Sequence, residues 1–257
     1  MYHKTAVNNG MCVEITRDRS VFSGILYAMF PEAASAKPPQ LPLFTLEESM
    51  GKVEVFPAVW LAIEDLTSPD SGIKQQALER LQILNAPRFF PVVTYLIFTL
   101  ITEQDLQLRK RIVQTLAEIL APDEQGLPAP DDVRNNLLLN LSQIRTRQIY
   151  ALLQVIIEDD SLEKDVARLF DACPYAGNHL LDILGDYKMP LEVRRQAVKM
   201  IGRVGYLDAI PPLERLASRL ATRLNGQQLM PFAPPPGSNE AELLPAVQAS
   251  LEILHAT

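Results

Sequence analysis

A helix-pair unit that returns at a nearly fixed spacing is the feature that most restricts the fold of this chain. Asp70-Ser71-Gly72-Ile73-Lys74-Gln75-Gln76-Ala77-Leu78 aligns with Asp105-Leu106-Gln107-Leu108-Arg109-Lys110-Arg111-Ile112-Val113 at an offset of 35 residues. The segments before them agree, with Phe56-Pro57-Ala58-Val59 lying 34 residues before Phe90-Pro91-Val92-Val93. Leu191-Glu192-Val193-Arg194-Arg195-Gln196-Ala197-Val198 is a third copy of the second helix. A weaker copy runs from Asp159 to Phe170. Within each unit the apolar residues recur at helical spacing: Val53, Phe56, Val59, Trp60, Ile63 and Leu66 over 53–67, then Ile73, Ala77, Leu78, Leu81 and Leu84 over 72–84. Ser68-Pro69-Asp70-Ser71 between them is a turn with N-cap residues, so the pair is an αα-hairpin. A lone hairpin cannot bury its apolar face, and a period of this length predicts stacked units sharing one continuous core.

The period breaks once. Between Leu108 and Leu162 stand a Pro/Gly/Asp loop, Ala121 to Pro130, and one extra helix over about 131–143. Helices are then expected near 145–158, 162–172, 175–187, 191–204 and 208–223, followed by a loop over Asn225–Asn239 and a last helix near 240–255. No strand is expected, because β-branched runs such as Val155-Ile156-Ile157 sit inside helical stripes. The expectation is an all-α superhelix of about five helix pairs with one inserted helix, occupying 51–257. Residues 1–50 form an irregular N-terminal segment, with a proline-rich linker over 31–45. Its apolar end, near 41–50, is expected to cap the first hairpin.

The 257 residues are 47% apolar, which suits a sizeable core and not general disorder. Two cysteines, Cys12 and Cys173, make neither a disulfide framework nor a zinc cluster, and three separated histidines argue against histidine-based metal chemistry. No apolar run reaches the roughly 18 residues of a membrane span. Val21–Phe30, after Arg17 and Arg19 and before Ala34-Ser35-Ala36, loosely has the layout of an export signal within 1–36. Glu14 and Asp18 fall in what would be its basic region, and a cytoplasmic protein is the reading adopted.

The stretch Val193-Arg194-Arg195-Gln196-Ala197-Val198-Lys199-Met200-Ile201-Gly202-Arg203-Val204-Gly205, with Asp208-Ala209-Ile210-Pro211-Pro212-Leu213 after it, resembles HEAT repeats. It is most similar to the bacterial type named for phycobilisome lyases. Asp105 and Arg109 fit that family's turn aspartate and ladder arginine. Lys74 and Glu163 stand where the family has arginine, and Pro190 where it has aspartate. The resemblance covers about 53–120 and 145–223. It implies an armadillo-like solenoid and a binding scaffold, with no particular partner. The repeated His-Glu pairs of di-iron HEAT-like hydroxylases are missing, as is the basic aromatic groove of HEAT-like glycosylases. An accessory subunit of a lyase-type enzyme is the alternative function.

No phosphate-cradling glycine loop, Gly-x-Ser-x-Gly or Cys-x-x-Cys occurs, and no cofactor is expected. His179 and Asp182 share a helix face as an ordinary surface contact. Asp159-Asp160 before Ser161 reads as a helix cap, and Trp60 as a core residue. One region departs from the overall charge of −7: residues 188–223 carry eight basic and three acidic side chains, leaving −12 on the rest. Arg195, Lys199 and Arg203 repeat at i, i+4, i+8, and so do Arg215, Arg219 and Arg223. Two readings stand: a solvated face with ion pairs to its neighbours, or a patch for an acidic partner or phosphate groups. The residues favoured for contact are Arg195, Lys199 and Arg203, with Arg194 beside them. Nucleic-acid binding through the stripe is a third, weaker possibility for so acidic a chain.

Overall fold

The computed structural model describes the backbone of residues 46–228 and 242–256, and side chains at 56–224 and 242–256. The linker, the export-signal segment and the capping contacts of 41–50 lie outside the described residues or side chains. Contacts divide the chain into Met1–Gly51 and Lys52–Thr257.

The described residues are all-helical, with twelve α-helices and no strand. In chain order they are α1 (Leu46–Leu66), α2 (Ser71–Ile83), α3 (Ala86–Phe89), α4 (Pro91–Thr99), α5 (Leu106–Leu120) and α6 (Asp131–Ser142). There follow α7 (Thr146–Glu158), α8 (Glu163–Asp171), α9 (Ala176–Gly185), α10 (Leu191–Val204), α11 (Ile210–Gln228) and α12 (Leu243–Ala256). No helix among the described residues is long and apolar enough to cross a membrane.

Local chemistry sets these boundaries. The aligned aspartates do the same work 35 residues apart: Asp70 accepts from the amides of Gly72 and Ile73, and Asp105 from that of Leu108 at 2.9 Å. In the third copy Pro190 has no side-chain acceptor, and only its carbonyl engages the helix, through the Arg194 amide. Asn85 stops α2 in the left-handed region, at φ 52°. Pro91 holds Phe90 extended, so the first helix of the second pair is split into α3 and α4. Gly205, at φ 82°, ends α10 as expected. Asp159 takes the expected cap, accepting from the Ser161 amide and hydroxyl. Two boundaries differ from expectation. Helix α1 starts earlier than residue 53 and carries Pro57 in its interior, which removes one backbone donor. Helix α11 continues through Asn225 to Gln228, since no proline interrupts it before Pro231.

The second helices of the pairs follow one another in contact: α2 on α5, α5 on α8, α8 on α10 and α10 on α12. Inserted α6 packs mainly on α4, and α7 sits against α8, α9 and α10. Leu78, Leu81, Ile112, Val113, Leu116, Val166, Leu169, Val198 and Ile201 all belong to one buried cluster. Each contact between successive second helices also has a polar tie. Gln82 donates to Thr115 Oγ1 at 2.7 Å, and Arg168 to the Ala117 carbonyl at 3.3 Å. Lys199 and Arg203 both reach Glu163, and Ser250 donates to the Val198 carbonyl at 2.9 Å. The last contact is the tightest: a Cβ at Gly202 would lie 2.9 Å from Ser250, so only glycine lets α12 approach.

Candidate interaction surface

The basic face of α10 arises from helical periodicity, and the same periodicity sorts its cations. Arg195, Lys199 and Arg203 point outward, opposite the buried stripe of Val193, Ala197, Val198 and Ile201. Arg194 does not join them. It is 5% exposed, and its Nε donates to the Leu184 carbonyl of α9 at 2.9 Å. It shares the stripe of Val198 and Ile201 at i+4 and i+7, so its side chain turns inward. Arg194 therefore ties α10 to α9, and the set expected at the surface loses this member.

The outward cations are also less free than their spacing suggests. Glu163, only 9% exposed, accepts from Lys199 Nζ at 2.7 Å and from Arg203 Nη1 at 2.5 Å. Burial raises the Glu163 pKa, but the hydrogen bonds and charges of Lys199 and Arg203 outweigh it and hold the carboxyl below its usual value. Glu163 thus lets α8 receive two cations of α10. Arg195 pairs with Glu192 on its own helix at 2.5 Å. All three outward cations of this stripe are thus ion-paired within the chain.

Arg109 on α5 is a second buried arginine, 9% exposed. Its Nη1 donates to Gln154 Oε1 at 2.9 Å and to the Ala151 carbonyl at 3.4 Å, both on α7. Its Nε has no hydrogen-bond partner, and no carboxylate among the described residues lies within ion-pair distance. Burial lowers its pKa, and neighbouring Tyr150 opposes that shift. The neighbouring Lys110 makes the ionic contact instead, to Asp159 just after α7, at 3.2 Å.

A cavity of about 570 Å³ opens between the C-terminal ends of α2 and α5 and the turn around Asp123. Its wall includes Gln82, Thr115, Glu118 and Glu124. Desolvation, and then repulsion from Asp165, push the Glu118 carboxyl up. Arg88 closes one side, donating to the carbonyls of Glu118, Ala121 and Leu127, so it serves as a loop anchor. His179 meets Asp182 at 4.0 Å and Thr146 Oγ1 at 3.1 Å, an ordinary surface contact. Cys173 is buried, which raises its thiol pKa, and it donates to the Leu141 carbonyl. Trp60 is half-buried and stacks on Phe56 at 6.2 Å between ring centroids. Among the described residues no group of three or more His, Cys, Asp or Glu side chains is placed to hold a metal ion.

No protein-family model matches the chain, and neither do curated proteins or solved structures.

Proposed function

We propose that the chain is a non-enzymatic protein-interaction scaffold, built as a HEAT-like solenoid and working in the cytoplasm. The observation that carries this reading is the series α2, α5, α8, α10 and α12, each second helix packed on the one before and joined to it by a polar tie. Such a series places many side chains on extended helical faces and assembles no single deep site, which suits recognition of another macromolecule. The partner expected is a protein with an acidic contact surface, because the basic excess of 188–223 stands out on an otherwise acidic chain.

Affinity capture of the full chain from its native cell, with mass spectrometry and reconstitution of the purified pair, tests this. A partner protein that co-elutes in a fixed ratio is expected. A chain that always elutes alone, with every captured protein lost on reconstitution, contradicts the scaffold reading.

A further inference from the structure

The two arginine-bearing faces differ in what neutralises them. On α11, Arg215 and Arg219 are both exposed and one helical turn apart. The hydrogen bond of Arg215 is from Nε to the Pro211 carbonyl of its own helix, at 3.2 Å. Among the described residues neither Arg215 nor Arg219 has a carboxylate within ion-pair distance. Glu214 beside them turns instead to His255, at 3.5 Å. Like charges at i, i+4 repel and weaken a helix slightly, so the pair is a small cost to the isolated chain. The arginines stand over a groove of about 380 Å³ between α9 and α11, whose apolar wall is Leu181, Leu184, Pro212 and Leu216. Gly185 borders the same groove, and a Cβ built there meets nothing within 4 Å.

Resting on the scaffold reading, we propose that the α9–α11 groove is the docking site for a short acidic peptide segment of a partner protein, with a leucine-sized apolar side chain as its anchor. The apolar wall takes the anchor, and Arg215 and Arg219 take flanking carboxylates through two-pronged hydrogen bonds. The volume falls within the roughly 300–1,000 Å³ typical of ligand pockets. The wall favours a peptide over a nucleic-acid backbone, which offers phosphates but no aliphatic anchor.

Fluorescence anisotropy on the full chain tests the proposal. The probe is a labelled twelve-residue peptide with leucines at positions 3, 6, 7 and 10 and glutamate elsewhere. Saturable binding is expected, weakened several-fold from 50 to 500 mM salt. Arg215→Glu with Arg219→Glu should reduce affinity at least tenfold. Gly185→Trp, which fills the groove and leaves both charges in place, should do the same. Arg195→Glu with Arg147→Glu, both exposed and away from Glu163, should stay within about twofold. No saturable binding at millimolar peptide overturns the proposal. So does equal loss from both pairs of charge reversals, or tighter salt-sensitive binding of a labelled oligonucleotide to the same groove. A reconstituted natural partner that crosslinks to another face overturns the groove and leaves the scaffold reading standing. Failure of the scaffold reading shows separately, as the absence of any reconstituted partner.

Discussion

Helices α10 and α11 carry cations at the same i, i+4 spacing, and the fold uses them in opposite ways. On α10, Lys199 and Arg203 converge on Glu163 of α8, which is almost fully withdrawn from water. On α11, Arg215 and Arg219 face solvent beside an apolar groove, with no carboxylate among the described residues within reach. The first set joins α8 to α10, and the second has no such counter-charge among the described residues. A basic stripe therefore has no fixed meaning until its counter-charges are located. For Lys199 and Arg203 that counter-charge is the single carboxylate of Glu163 on α8, 36 and 40 residues away in sequence.

The largest expected effect comes from inverting the shared acid. Glu163→Lys would bring three cations together at a buried position, and breaking such a contact typically costs about 3–5 kcal/mol. For a chain of this size that lowers the melting temperature by roughly 6–20 °C, measurable by circular dichroism. A change under about 2 °C would mean that the α8–α10 contact does not hold the units together.

Glu163→Gln is milder and sharpens the same point through pH. The native carboxyl is held below its ordinary value of 4.5, so its contribution is fully present above that pH. It is lost as pH falls through the lower native value. Denaturant titrations of wild type and Glu163→Gln should therefore differ by a constant amount, about 1–2 kcal/mol, from pH 7 to pH 5.5. The curves should converge as pH falls below 4.5 and through the lower native value. A difference that grows on acidification would reverse the assigned sign.

Arg109→Met tests whether an inward arginine can be dispensed with when it has no carboxylate. The substitution removes an unpaired Nε and leaves Gln154 with its bond to the Tyr150 hydroxyl, so the cost should be about 1 kcal/mol. A loss above about 3 kcal/mol would show that Arg109 has a stronger partner than the two α7 oxygens. The smallest effect belongs to Arg195→Ala, which breaks an exposed contact to Glu192 within one helix. Its melting temperature should stay within about 1 °C of wild type.

Much of this molecule is readable from sequence because helix signals are local. Apolar spacing and the proline and glycine stops place α10 at 191–204, and the Asp70/Asp105 offset marks equivalent caps. Pro91 splitting a helix into α3 and α4 is equally local, once its effect on Phe90 is taken into account. The inward turn of Arg194 was also within reach, since it shares the stripe of Val198 and Ile201. Arg109 does the same with Ile112, Val113 and Leu116. Charge alone places both arginines at the surface, whereas helical spacing places them on the buried stripe. The pairing at Glu163 was not within reach, because its partners come from another unit and depend on how α8 and α10 meet. The absence of such a partner at Arg215 and Arg219 is likewise a property of packing.

The most direct test of this division is a side-by-side thermal unfolding of two double charge reversals at low and high salt. Lys199→Glu with Arg203→Glu should lower the melting temperature by at least about 5 °C, with part of the loss recovered at 500 mM salt. Arg215→Glu with Arg219→Glu should leave it within about 2 °C of wild type at both salts. Equal losses for the two pairs, or a larger loss on α11, would contradict the account that α10 spends its cations on the fold while α11 keeps them available.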